Sequence, residues 1–174
     1  MLKYGLGGAS LLALGGVGLA LRPSILKTPG RTLQALSPKE YSTLAAAAEV
    51  ILPGGNGFPT ASELQIAETV DQTLAPCHPG IVAEFKQLLA LLENAVTGAV
   101  LEGRFSTFTA ATSSQRAEAL EGWRNSDSKL LKGAFKALHG LCTASYYNQS
   151  SVQTQVGYPG VPEWVTEIRK ARIQ

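Results

Sequence analysis

Apolar residues recur every three or four positions along most of the chain, which is the spacing of amphipathic helices. The first such stretch begins at Ser37, an N-cap residue followed by Pro38 and by Glu40 as its capping-box partner, and it ends at Pro53. The same spacing predicts further helices from Thr60 or Ser62 to about Leu74, Ile81 to Leu101, Ser113 or Ser114 to about Trp123, Ser126 to about Tyr147, and Pro162 to Ile173. No stretch alternates apolar and polar residues as a half-buried strand would. We therefore expect an all-α fold, a single helical bundle of about five or six helices over residues 37–174.

The third predicted helix has the longest apolar face of the chain. The residues expected to face the core are Ile81, Phe85, Leu88, Leu92, Val96 and Ala99. Phe105 and Phe108, which follow this helix, are expected to fill the end of the bundle.

Two segments rich in proline and glycine lie outside the predicted helices. Residues 22–36 are predicted to form a linker. Residues 155–162, QVGYPGVP, form a turn-rich segment that we call the strap, in which Gly157 and Gly160 permit tight turns. Tyr158 is expected to anchor the strap either on the bundle or on another protein.

The first 21 residues form an apolar segment with a single charge, Lys3. Gly5 to Leu21 is a run of 17 uncharged residues. As a helix this run would be roughly 25 Å long, short of the roughly 30 Å hydrocarbon core of a membrane. Its basic start, apolar middle and small residues around Gly18 and Ala20 are typical of an export signal. Residues 1–21 are therefore predicted to be an export signal or a membrane anchor, similar to a twin-arginine signal but without the arginine pair.

The distribution of charge argues against a nucleic-acid partner. Residues 1–36 carry four bases and no acid, and residues 37–174 carry the remaining 11 bases with all 13 acids. The predicted bundle is therefore slightly acidic and has no basic stripe of the kind that nucleic-acid-binding proteins present to phosphates.

The two cysteines and two histidines leave three alternatives open. In an exported protein, Cys77 and Cys142 are candidates for a disulfide. They are also candidates for buried, unpaired thiols. Because His139 and Cys142 lie one helical turn apart, a metal site would form if Cys77 and His78 docked on the same helix face. That spacing is not typical of a common zinc module.

No set of residues with a catalytic pattern emerges from the sequence, so no catalytic residue is assigned. The glycines in Gly54-Gly55-Asn56-Gly57 lie between predicted helices and suit a tight turn better than a phosphate-binding loop. Glu68 and Asp71 follow helical spacing and are interpreted as part of a solvated face, with Asp71 partly buried. The basic side chains Arg104, Arg116 and Arg124 are expected to brace loops.

Five stretches in order resemble the gluconate 2-dehydrogenase subunit 3 family, the small gamma subunits of periplasmic flavin-dependent dehydrogenase complexes. These stretches are LSPKEYSTLAAAAEVILPGG, PTASELQIAETVDQTL, GRFSTFTAATSSQRAEALEGWRNS, KGAFKALHGLCTASYYNQ and VGYPGVP. Together they span about residues 36–162, which is nearly all of the predicted bundle. The chain departs from the resemblance at its start, where the arginine pair is missing.

The resemblance implies an accessory subunit rather than a catalyst. Its partner would be a large flavoprotein of the glucose-methanol-choline type, which carries FAD and oxidises a sugar, a sugar acid or an alcohol. Electrons would pass to a cytochrome c subunit with haem c and to the quinone pool. The small subunit would hold no cofactor of its own, would stabilise the large one and would carry the export signal for both. The expected location is the periplasm, at the inner membrane.

An accessory subunit needs a surface for its partner, and aromatic residues near the strap are the candidates. The residues expected to contact the partner are Tyr146, Tyr147, Gly157, Tyr158, Phe58, Trp123 and Trp164. The alternative is a self-standing exported metalloprotein that uses Cys77, His78, His139 and Cys142.

Overall fold

The computed structural model describes residues 24–94, residues 106–162 and Val165. In these ranges the chain forms six helices and no strand: α1 Pro38–Ile51, α2 Ile66–Leu74, α3 Pro79–Glu93, α4 Ser113–Asn125, α5 Lys129–Tyr147 and α6 Ser150–Gln155. The predicted all-α fold is confirmed. The predicted leader (1–21), residues 95–105 and nearly all of the predicted terminal helix lie outside the described residues.

Helix α1 lies at the centre of the bundle, where it packs against α2, α3, α4 and α5. Its start is as the sequence predicts, because the Ser37 side chain accepts a hydrogen bond from the Glu40 N–H and the Glu40 carboxylate accepts one from the Ser37 N–H at 2.7 Å. Leu44 and the alanines 46–48 are almost fully buried. Alanines on this face let neighbouring helices approach closely, and they cost the helix nothing in propensity.

Helix α2 begins later than the sequence predicts. Thr60 does act as a cap, since its hydroxyl accepts a hydrogen bond from the Glu63 N–H and its own N–H donates to the Glu63 carboxylate. These hydrogen bonds from Thr60 hold the pKa of Glu63 below its usual range. Gln65, however, has a left-handed backbone with φ of +50°. A left-handed residue interrupts a right-handed helix, so the regular helix starts at Ile66.

The third predicted helix differs from the observed α3 at both ends. It begins at Pro79, with His78 as N-cap, and Ile81 is exposed (56%) rather than buried. It ends at Glu93, where Asn94 takes an extended backbone, instead of continuing to Leu101. The central positions Phe85 and Leu92 are buried as expected. Leu88 is partly buried against the core, and the remaining predicted positions, Val96 and Ala99, lie outside the described residues.

Helices α4 and α5 form as predicted, with one change of cap. Thr112 and Gln115 make a capping box at the start of α4. Ser128, rather than Ser126, caps α5 by accepting a hydrogen bond from the Leu131 N–H. The sequence does not predict the short helix α6, because only one of its residues, Val152, is buried and no apolar spacing marks it. Val152 attaches α6 to α5.

The core lies where helices α1 to α5 meet. Its largest fully buried side chains include Trp123, Phe108, Leu44, Ile66, Leu89, Leu92 and Leu138. Phe108 therefore fills the interior as expected, while Phe105 lies outside the described residues. Burying each of the large apolar side chains contributes about 1.5–3 kcal/mol. Within the described ranges, no helix has the length and apolar character needed to cross a membrane.

Candidate partner-binding surface

Large apolar side chains reach solvent at a few places on the described part of the molecule. They are Ile25, Leu26, Ile81, Leu130, Tyr147, Val156, Tyr158 and Val161. Four of them, Tyr147, Val156, Tyr158 and Val161, lie within 15 residues of one another, at the end of α5 and in the strap. We call these four residues the strap surface. Exposed apolar side chains that cluster in this way are typical of protein interaction sites.

The strap owes its path to two glycines. Gly157 and Gly160 have φ values of +72° and +85°, a region that side-chain-bearing residues rarely adopt. The Gly157 N–H donates to the Thr154 carbonyl and the Tyr158 N–H donates to the Gln153 carbonyl at 2.9 Å, so the turn is tied to α6. The Tyr158 side chain remains 49% exposed. The tight turn expected at Gly157 is confirmed, and Gly160 has the left-handed backbone that favours glycine.

Tyr146 and Tyr147 lie next to each other but serve different roles. Tyr146 is buried, and its hydroxyl donates a hydrogen bond of 2.7 Å to the Pro59 carbonyl, which joins α5 to the loop before α2. Burial raises the pKa of Tyr146, so the hydroxyl stays protonated and able to donate. Tyr147 is 54% exposed, with its ring edge-on to that of Tyr146 at 5.5 Å.

The predicted contact residues therefore divide into surface and core. Tyr147, Gly157 and Tyr158 are exposed. Trp123 is only 1% exposed and packs in the core, so its side chain offers no surface to a partner, and Tyr146 is buried as well. Phe58 is half-buried against the core, and Trp164 lies outside the described residues.

The second group of functional candidates, two carboxylates on α2, is buried rather than solvated. Asp71 is 1% exposed and accepts hydrogen bonds from three backbone N–H groups, those of residues 34–36. Glu68 accepts from the Gly30 N–H and from the Tyr41 hydroxyl. Burial and this hydrogen bond raise the pKa of Tyr41 well above its ordinary value. Residues 24–36 are therefore packed on the bundle, and the prediction of a linker is wrong for them.

A third buried carboxylate holds the loop before α4. Glu93 accepts hydrogen bonds from the Thr109 N–H and from the Thr109 hydroxyl. Arg116 approaches the same loop from α4 and donates to the carbonyls of Phe108 and Thr109. The expected bracing role is thus observed for Arg116. Arg124 instead contacts Glu121 on the surface of its own helix, and Arg104 lies outside the described residues.

The cysteines and histidines do not assemble into a site. Both cysteines are free: Cys77 is partly exposed, with its thiol 3.3 Å from the Thr73 carbonyl, while Cys142 is fully buried in α5. Burial raises the pKa of the Cys142 thiol to about 12. His78 caps α3 through Nδ1, and His139 is exposed beside Phe135.

Among the described residues, no three His, Cys, Asp or Glu side chains are grouped to hold a metal ion. These residues do not support the predicted four-ligand metal site, and the predicted disulfide is not formed. The physical reason is the position of the two thiols in the fold. One thiol lies on the surface after α2, whereas the other is enclosed in the core.

Comparison with known proteins identifies the family. The sequence profile of gluconate 2-dehydrogenase subunit 3 matches residues 38–164 of the 174 in the chain. The chain belongs to this family. The family's name designates its members as one subunit of a dehydrogenase. No curated protein and no solved structure matches the chain significantly.

Proposed function

We propose that this gluconate 2-dehydrogenase subunit 3 chain is a non-catalytic accessory subunit that binds a large flavoprotein dehydrogenase. The observation that carries the proposal is the strap surface, with Tyr147, Val156, Tyr158 and Val161 all about half exposed or more. Aromatic residues that reach solvent beside a rigid element are typical anchors of protein interfaces. Membership of a family named as a subunit supplies the kind of partner that would cover them.

The strap is suited to binding because its backbone is fixed before a partner arrives. Two hydrogen bonds tie the strap to α6, and Val152 attaches α6 to α5. Tyr146 in turn attaches α5 to the loop before α2. A preformed surface loses little conformational entropy on association, which favours affinity. Tyr147 and Tyr158 would then enter pockets on the partner with few rotamers to restrict.

The chemistry would take place on the partner. The large subunit would be of the glucose-methanol-choline type, would hold the FAD and would oxidise a sugar, a sugar acid or an alcohol. A cytochrome c subunit would then accept the electrons. The contribution of this chain would be to stabilise the folded flavoprotein, because a ligand that binds only the native state shifts unfolding equilibria by mass action.

Export is the second part of the proposal. The apolar segment 1–21 has the organisation of an export signal. If the large subunit is bound before export, one signal serves both chains, and the complex works in the periplasm at the inner membrane. A twin-arginine route would suit this order of events, since it would carry a folded, flavin-loaded partner.

Affinity purification tests the proposal. The full chain, tagged at its C-terminus, is expressed in its native cells and recovered in mild detergent from membranes and periplasm. We expect a larger protein to co-purify with a flavin absorbance spectrum, with or without haem bands. Recovery of the chain alone, without any chromophore, would contradict the subunit function. The mass of the recovered chain also shows whether the leader has been removed.

A further inference from the structure

Residues 24–36, which we call the N-terminal segment, are attached to the bundle through their backbone. Six of their N–H groups donate to side-chain oxygens of the bundle. The pairs are Ile25 to Thr109 at 2.9 Å, Lys27 to Ser42 at 2.8 Å, Gly30 to Glu68 at 3.1 Å, Gln34 to Asp71 at 2.7 Å, Ala35 to Asp71 at 3.0 Å, and Leu36 to Asp71 at 2.8 Å. Backbone donors are the same whatever the residue type, so the position of the segment is set by the acceptors.

These acceptors come from separate parts of the bundle. Ser42 belongs to α1, Glu68 and Asp71 to α2, and Thr109 to the loop before α4. Thr109 is itself held by Glu93 at the end of α3. The full set of acceptors is therefore in register only after α1, α2 and α3 have packed together. An unfolded chain presents no such set, because the acceptors lie 15 to 84 residues along the chain from the N–H groups that they bind.

Apolar packing holds only one end of the N-terminal segment. Leu33, Ala35 and Leu36 lie against the core. By contrast, Ile25 and Leu26 are 58% and 61% exposed, and a cavity of about 290 Å³ lies between residues 27–30 and the helices α1 and α2. The half of the segment nearest the predicted leader thus depends on hydrogen bonds and on the ion pair of Lys27 with Glu49.

We propose that the N-terminal segment is a fold-dependent latch, docked when the helices are assembled and released when they are not. Docking and helix assembly are then coupled, and by linkage the coupling acts in both directions. The chain next to the predicted leader is then protected when the bundle has folded and accessible when it has not. The latch involves only residues of this chain and does not depend on the identity of a partner.

Trypsin provides the test, because Lys27 and Arg31 lie within the latch and Lys132 and Lys136 lie in α5. In Asp71→Asn, one carboxylate oxygen becomes an NH₂ group facing a backbone N–H. The three N–H donors can then no longer all be satisfied. For the full chain in mild detergent, we expect cleavage after Lys27 and Arg31 to accelerate about tenfold more than cleavage after Lys132 and Lys136, because the variant undocks the latch directly and loosens the bundle only through the coupling. Amide hydrogen exchange at residues 34–36 should accelerate in parallel.

A core variant of similar loss in stability serves as the matched control. Leu138→Ala creates a cavity in α5 away from the latch and should accelerate cleavage at all four sites together. If Asp71→Asn also accelerates all four sites equally, or leaves Lys27 and Arg31 unchanged, the proposal is overturned. The surface variant Glu121→Gln should match the unmodified chain at every site.

A milder variant keeps the proposal testable if Asp71→Asn does not fold. Ser42→Ala removes the acceptor of the Lys27 N–H, while alanine is favourable within α1. We expect a few-fold faster cleavage after Lys27 alone. Equal cleavage of Ser42→Ala and the unmodified chain at Lys27, with the fold intact by circular dichroism, would overturn the latch.

Discussion

The two ends of the described chain are attached to the bundle in opposite ways. The N-terminal segment donates hydrogen bonds from its backbone N–H groups to side-chain carboxylates and hydroxyls of the bundle. The strap forms its hydrogen bonds locally, with α6, and presents Tyr158 and Val161 to solvent. One end is therefore held by its own fold, and the other leaves apolar side chains exposed, where we propose that a partner binds.

This difference separates two requirements that a small subunit must meet. Long-range hydrogen bonds to Asp71 and Glu68 stabilise the subunit itself, and their loss leaves buried groups unsatisfied. The strap surface contributes little to the folded chain, because its apolar side chains remain in contact with water. Substitutions in the first region should therefore change folding, and substitutions in the second should change assembly.

The largest expected contrast concerns the two thiols, which report how tightly the turn after α2 and the helix α5 are enclosed. Burial raises the pKa of Cys142 to about 12, and the side chain has no exposed surface, whereas Cys77 is partly exposed. A raised pKa leaves less of the reactive thiolate at a given pH. At pH 8 we expect iodoacetamide to label Cys77 at least about a hundredfold faster than Cys142.

Mass spectrometry of the labelled native chain measures this contrast, and labelling in denaturant is the control that should modify both thiols. Two equally reactive thiols in the native chain would mean that α5 is not enclosed as described. No labelling of either thiol without a reductant, followed by labelling of both after reduction, would instead reveal a disulfide.

The next largest effect is expected for Asp71→Ala. Removing the carboxylate leaves the N–H groups of residues 34–36 without their acceptor in a buried setting. We expect the free energy of unfolding to fall by roughly 2–4 kcal/mol, measured by urea denaturation. Glu121→Ala, an exposed acid on α4, should change it by less than about 0.5 kcal/mol. Equal effects of the two variants would show that Asp71 does not hold the N-terminal segment.

A smaller effect is expected at Tyr146, which joins α5 to the loop before α2. Tyr146→Phe removes only the hydroxyl that donates to the Pro59 carbonyl. We expect a loss of about 1 kcal/mol in the free energy of unfolding. Tyr147→Phe is the matched control, since its ring is exposed, and it should be neutral within about 0.5 kcal/mol. A larger loss for Tyr147 than for Tyr146 would reverse the assignment of these two residues.

The smallest effect on folding is expected at the strap. Because Tyr158 is half exposed, Tyr158→Ala should change the free energy of unfolding of the full chain by less than about 0.5 kcal/mol. A urea titration measures the free energy of unfolding, and differential scanning calorimetry measures the thermal stability. A large drop in thermal stability would make Tyr158 a core residue that anchors the strap on the bundle.

Local signals in the sequence were sufficient for most of the fold. Ser37, Pro38 and Glu40 lie within one turn, so the start of α1 is encoded by neighbours, and the 3.6-residue spacing identifies α5. The end of α3 was not predictable in the same way. Glu93 turns to hold Thr109, 16 residues later, and no local pattern indicates this contact.

The candidate site residues divide in the same way, into those that the local sequence predicts and those that it does not. The conformations of the strap glycines follow from turn chemistry, whereas the sequence left open whether Tyr158 packs on the bundle or reaches solvent. The role of Asp71 does not follow from the local sequence, because its partners are backbone groups about 35 residues earlier, which look alike in any sequence. The one usable signal was position: Asp71 follows Ala67 and Val70 on the face of α2 that packs inward. Trp123 was misplaced because a tryptophan suits a core and an interface equally well.

The most direct test of the central claim compares two double variants by co-purification. Tyr147→Ser with Tyr158→Ser removes the aromatic part of the strap surface. Ile81→Ser with Leu130→Ser removes equally exposed apolar residues elsewhere, and Leu130 lies at the opposite end of α5, about 25 Å from Tyr147. Full chains carrying each pair are recovered from native cells, and the co-purifying flavin is measured by absorbance. The account predicts that the strap pair loses the flavoprotein while the control pair retains it. Retention by the strap pair with loss by the control pair would contradict it.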